Sequence, residues 1–64
     1  MIIEDDNKIY EYREFDIYEV YTYNYETDVV TILGYKAKKH DWESNLFNSI
    51  QEVKDEINEE LLKL

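Results

Sequence analysis

The chain has 64 residues, with 16 acidic against 7 basic side chains for a formal charge of −9, and it contains neither Cys nor Pro. That length gives one domain, residues 1–64, whose core only just offsets chain entropy, and without Cys there is no disulfide framework and no thiolate metal site. A negative field repels nucleic acid and anionic membrane and attracts basic protein surfaces, while 44% hydrophobic and 16% aromatic content opposes disorder.

The charge is unevenly spread. Met1 to Gly34 sums to −7, Tyr35 to His40 to +3 through Lys36, Lys38 and Lys39, and Asp41 to Leu64 to −5. The N-terminal Met1 to Asn7 ends in Glu4-Asp5-Asp6 and reads as a short apolar start followed by a solvated segment. Those three acids lack the alternation of ligands and the central Gly of a calcium loop. The same end lacks the basic and apolar regions of an export signal, and no apolar run approaches the roughly 18 residues of a membrane span. The expectation is a cytoplasmic protein with no membrane contact.

Lys8 to Arg13 (KIYEYR) alternates like a short strand. The residues that follow, Arg13-Glu14 or Glu14-Phe15, make a poor turn because none tolerates positive φ easily, so a separate first strand and one long bent strand both remain open. Asp16 to Tyr25 (DIYEVYTYNY) is the strongest strand signal, aromatic and β-branched throughout. Its residues Ile17, Glu19, Tyr21, Tyr23 and Tyr25 share one face, and Asp16, Tyr18, Val20, Thr22 and Asn24 share the other.

Val29 to Lys39 (VVTILGYKAKK) forms the partner strand. A hairpin closed around Glu26-Thr27 sets Thr22 opposite Thr31, Val20 opposite Leu33, Tyr18 opposite Tyr35, Tyr23 opposite Val30 and Tyr21 opposite Ile32. Gly34, the only glycine, then falls opposite Glu19 and marks a bulge that twists the hairpin over the helix. Lys36 to His40 reads as a solvated strand end whose lysines offset surrounding acids. His40 beside Asp41 is too few ligands for zinc and has no nucleophile spaced around it, and Trp42 reads as an anchor at the strand-to-helix connection.

A helix begins near Ser49, where Ser49-Ile50-Gln51-Glu52 matches a capping box; Asn45 to Phe47 reads as a leading turn with Phe47 tucked into the sheet. At 100° per residue Leu46, Ile50, Val53, Ile57, Leu61 and Leu64 fall within roughly 80°, with Leu62 off the stripe. On the opposite side Glu52, Asp55, Glu56, Glu59 and Glu60 make an acidic face.

Two surfaces stand out. The acidic helix face is a weaker polyanion than duplex DNA but of the same order. The seven tyrosines exceed what one helix covers, and tyrosine, with its rigid apolar body and polar tip, suits an interface. Candidate partner-binding residues are therefore Glu52, Asp55, Glu56, Glu59 and Glu60 on the helix and Glu19, Tyr21, Tyr23 and Tyr25 on the sheet. No triad, metal set or phosphate loop can be assembled, so no enzyme, cofactor or metal is expected, and three clustered lysines do not make a nucleic-acid site against the net field.

Small size, strong negative charge, no Cys, Tyr-rich strands such as YEVYTYNY and an acidic helix such as SIQEVKDEINEE together resemble the small inhibitors encoded by phages and mobile elements. Those include DNA-mimicking inhibitors of uracil-DNA glycosylase, restriction enzymes and CRISPR effectors. The resemblance implies a stoichiometric inhibitor in a bacterial host that fills the basic cleft of a nucleic-acid-processing enzyme. The alternative is a structural or adaptor module that forms a homodimer, or docks on a neutral partner, through its tyrosine face. The fold expected for either is α+β: a small antiparallel sheet of two or three strands built on the long hairpin, with one C-terminal amphipathic helix on one face, its stripe meeting Val20, Leu33 and their neighbours, with the choice of sheet face left open.

Overall fold

A computed structural model describes residues 1–63 and shows a small α+β fold. Strands β1 (Ile2–Tyr12), β2 (Phe15–Asn24), β3 (Val29–Lys39) and β4 (Trp42–Glu43) form one antiparallel sheet in the order β1-β2-β3-β4, and α1 (Ile50–Leu62) crosses one face. The fourth strand adds only two residues to the expected sheet. β1 is separate and begins at Ile2, so Glu4-Asp5-Asp6 belongs to a strand and not to a solvated segment: pairing of Glu4, Asp5 and Asp6 with Thr22, Tyr21 and Val20 overrides the poor local propensity.

The β1–β2 turn is Arg13-Glu14, and both residues take positive φ, at 51° and 73°. This is the conformation in which a two-residue hairpin matches strand twist, and Asn-Gly normally supplies it. Arg13 is held there by donating from Nη1 to Asn58 Oδ1 at 2.7 Å, while Glu14 makes only an exposed 3.5 Å ion pair with Lys39. Left-handed backbone costs a non-glycine residue roughly 1–2 kcal/mol. Glu14→Gly is therefore expected to stabilise by about 1 kcal/mol and raise Tm by roughly 4–8 °C, as a thermal melt would show.

Around the β2–β3 loop, Thr22, Tyr23 and Tyr21 face Thr31, Val30 and Ile32 as the hairpin reading expects. Asn24 closes the loop through Oδ1, which accepts from Glu26 N at 2.9 Å, and its carbonyl accepts from Asp28 N at 2.8 Å. Farther along, the register slips between Val20 and Tyr21, so Val20 faces Gly34 in place of Leu33, Tyr18 faces Lys36 in place of Tyr35, and Glu19 faces Tyr35 in place of Gly34. The cause is the bulge expected at Gly34, which inserts Leu33 as an extra residue. A Cβ on Gly34 would collide with the Phe47 carbonyl oxygen and meet the Leu46 side chain at 3.0 Å. Here Leu46 and Phe47 run extended along the β3 edge and form no leading helical turn: Phe47 exchanges backbone hydrogen bonds of 2.8 Å with Tyr35.

The helix starts as its sequence requires. Ser49 Oγ accepts from Glu52 N at 3.2 Å, and Glu52 Oε2 accepts from Ser49 N at 3.2 Å and Asn48 N at 2.9 Å. Val53 and Ile57 are wholly buried against Phe15, Ile17 and Ala37, with Tyr10, Tyr12, Tyr35, Trp42, Phe47, Ile50 and Leu61 around them. The stripe thus meets the Ile17 face of β2. Val20 and Leu33 lie outside this core, because Val20 alternates to the opposite face and Leu33 is the bulged residue. Leu46 is half exposed beside Gly34, Leu62 projects into solvent, and Leu64 lies outside the described residues.

A 13-residue helix is about 20 Å long, whereas an 11-residue strand reaches about 36 Å. The helix consequently covers only one end of the sheet, and the molecule is a rod of 46 × 20 × 17 Å. The other end is a three-stranded arm with no helix over either face among the described residues.

Candidate interaction surface

On the helix side of the sheet, β2 continues beyond Ile17 through Glu19, Tyr21 and Tyr23. The register puts Tyr21 between Asp5 and Ile32, and Tyr23 between Ile3 and Val30. Tyr25, 60% exposed, stacks on Tyr23 with ring centroids 4.9 Å apart and planes inclined by 21°. The Tyr25 N–H also donates to the Met1 carbonyl at 3.0 Å, which ties the first strand to the tip. The arm thus presents an aromatic and β-branched surface bordered by Asp5 and Glu19. Ile3, Val30 and Ile32 were not singled out by sequence; Val30 and Ile32 were legible from the hairpin pairing, but Ile3 needed the β1 register.

The five helix carboxylates do not act alike. Glu52 is committed to the capping box, and Asp55 accepts from Gln51 Nε2 at 3.1 Å. Glu60 pairs with Lys63 at 3.5 Å, Glu56 is half-buried, and Glu59 is exposed. Glu59, exposed and without a partner among the described residues, is therefore the most available, followed by Asp55, which is exposed and bound only by the neutral Gln51 amide. The helix acids sit over the covered end and the tyrosines on the arm, with Glu19 on β2 just past the core residue Ile17.

The opposite face of the sheet holds three of the seven basic side chains, Lys8, Lys36 and Lys38. Asp6 pairs with Lys36 at 3.5 Å and Lys38 at 3.0 Å, Glu43 pairs with the same lysines at 3.0 and 3.8 Å, and Lys8 pairs with Asp16 at 3.0 Å. Lys38 also lies 4.5 Å from the Tyr18 ring centroid. On the helix side Lys54 lies over Tyr10 and Tyr12, at 5.4 and 5.2 Å. The basic island thus serves to neutralise acids of its own chain. Six of the sixteen carboxylates, Asp6, Glu14, Asp16, Glu26, Glu43 and Glu60, lie in ion pairs, and the other ten have no cationic partner among the described residues.

The hydrogen bond from Lys38 holds the Asp6 carboxyl below its ordinary 3.8, and that from Lys36 holds Glu43 below its ordinary 4.5. Asp6 in turn raises Lys38 above 10.5, and Asp16 raises Lys8 likewise. The carboxylates' contribution is complete above their ordinary values and is lost as pH falls through the lowered folded ones. That of the lysines is complete below 10.5 and is lost as pH rises through the raised folded ones. Lys38→Met, which removes the partner on both sides, is expected to lessen the fall in Tm at both extremes. Melting curves of the two proteins across pH isolate the network.

An open groove of about 440 Å³ lies at the covered end, with Phe15, Trp42 and Leu61 beside Lys39, His40, Asp41 and Glu60. Trp42 meets Phe15 edge-on at 5.3 Å, as an anchor would. Among the described residues no three His, Cys, Asp or Glu side chains are gathered for a metal ion, and no helix is long and apolar enough to cross a membrane. Comparison with protein-family models, with characterised proteins and with solved structures gives no match.

Proposed function

We propose that the chain is a non-catalytic binding module that engages a basic surface on a protein partner, of the kind that lines the cleft of a nucleic-acid-processing enzyme, and blocks it stoichiometrically. The carrying observation is the surplus of ten unneutralised carboxylates on a narrow rod whose cations are already engaged. Asp55, Glu59, Asp5 and Glu19 supply the charge, and Tyr21, Tyr23 and Tyr25 supply a rigid contact area beside it. Electrostatic attraction of this kind speeds association and weakens with ionic strength.

The test captures partners from a bacterial lysate on the immobilised protein, elutes with salt or with duplex DNA, and measures the purified pair. Asp55→Lys with Glu59→Lys, both at exposed positions, is expected to keep the fold and weaken binding by about tenfold or more. A complex indifferent to salt, to DNA and to this double change eliminates the reading.

The stacked Tyr23–Tyr25 pair at the exposed tip supports a second reading, an adaptor that docks through the tyrosine face on a neutral partner. It predicts an interface that ignores salt and is lost in Tyr21→Ser or Tyr23→Ser.

A further inference from the structure

The two edges of the sheet are protected very differently. β1 carries Glu4, Asp5, Asp6, Lys8 and Glu11 along its length, charges that discourage another strand from pairing there. On the other edge, β4 and Phe47 pair with β3 only from Tyr35 onward, and the five residues before Gly34, Val29-Val30-Thr31-Ile32-Leu33, hold no charge, Gly or Pro. Val29, Val30, Ile32 and Leu33 are 52, 56, 46 and 37% exposed. In a chain that is 36% charged, an uncharged β-branched edge is a template for strand addition.

We infer that this edge pairs antiparallel with the same five residues of a second copy, about a two-fold axis at Thr31, to make one continuous sheet. Three observations select a second copy over any other strand. The segment is self-complementary: about Thr31, Val30 of one copy opposes Ile32 of the other and Val29 opposes Leu33, so β-branched and aliphatic side chains meet on both faces. The slot is also closed at one end, because Leu46 and Phe47 occupy the edge beyond Gly34. A partner strand must therefore turn away after five residues. This chain's own hairpin does so, its loop beginning at Asp28 with φ of 62°. Finally, the half-exposed Leu46 lies beside Gly34, where the arriving Val29 would cover it.

An axis of that kind stands normal to the sheet and keeps both helices on one side. It also joins the two tyrosine faces, since Val30 and Ile32 flank Tyr23 and Tyr21. So short an interface falls at the low end of specific contacts, under about 1,200 Å², and self-association at micromolar concentration is expected. Because each copy carries −9, added salt should strengthen this dimer by screening repulsion, opposite in sign to its effect on a basic partner.

Sedimentation of the full chain reads the outcome. Wild type is expected to move from 7.9 kDa toward twice that mass as concentration rises to about 500 micromolar, and more so at about 0.5 M than at about 0.05 M NaCl. Thr31→Lys and Val29→Lys, both at exposed positions, should remain at 7.9 kDa with wild-type circular dichroism, whereas Tyr21→Ser should dimerise as wild type does. A wild type that stays at 7.9 kDa throughout, or folded lysine variants that dimerise normally, overturns the inference and leaves the acidic-face reading standing.

Discussion

Val53→Asp is expected to unfold the protein. Val53 has no exposed surface and sits with Ile57 against Ile17, Ala37 and Phe15. A charge placed there has no cation to meet: Lys54, its neighbour on the helix, is directed over Tyr10 and Tyr12. Burial of an unpaired carboxylate costs several kcal/mol, and the whole domain is worth roughly 5 kcal/mol at this size. Five buried residues make up the core cluster, so no second core can compensate. The far-ultraviolet spectrum should lose its folded form, and the amide spectrum should collapse to coil shifts. Leu62→Asp is the control, since Leu62 on the same helix is 84% exposed and should change stability by less than about 0.5 kcal/mol.

Gly34→Val should carry the second-largest penalty, about 2–4 kcal/mol. Two effects act together there. The backbone has φ of 157°, at the margin of what a side chain adopts, and the new Cβ would be driven into the Phe47 carbonyl oxygen. Either β3 or the Leu46–Phe47 segment must retreat, and the latter leads directly into the Ser49 cap of α1. The damage therefore reaches the helix, and chemical denaturation should show a lowered midpoint together with reduced helical content. Gly34→Ala should follow the same direction with a smaller loss, because its Cβ makes the same collision without the two methyl groups.

Much of this architecture can be read from local chemistry. The capping box, the stripe of Ile50, Val53, Ile57 and Leu61, and the pairing of Tyr21, Thr22 and Tyr23 with Ile32, Thr31 and Val30 all follow from residue types and spacings that act within a few positions. What escaped depends on distant partners. One inserted residue at Leu33 reverses the facing of the β3 residues after it, which brings Ala37 opposite Ile17 on the face that the helix covers. The acidic start of β1 becomes strand only because β2 offers it a ladder. Arg13-Glu14 turns because Asn58, 45 residues away, holds the arginine. At the interaction surface the acids were visible as a face, but their division into capping, paired and free carboxylates required the positions of Ser49 and Lys63.

The uneven cover of the sheet has a consequence for any binding experiment. Backbone amides between β2 and β3 near Ala37 lie beneath Val53 and Ile57 and should exchange with solvent deuterium only when the whole molecule opens. Those near Thr22 and Thr31 lie on the uncovered arm and should exchange through fraying of that end alone. Protection measured strand by strand thus becomes a map of contact: slowing confined to the arm reports a visitor on the tyrosines or the free edge, and slowing confined to neither reports one held by the outer carboxylates of the helix.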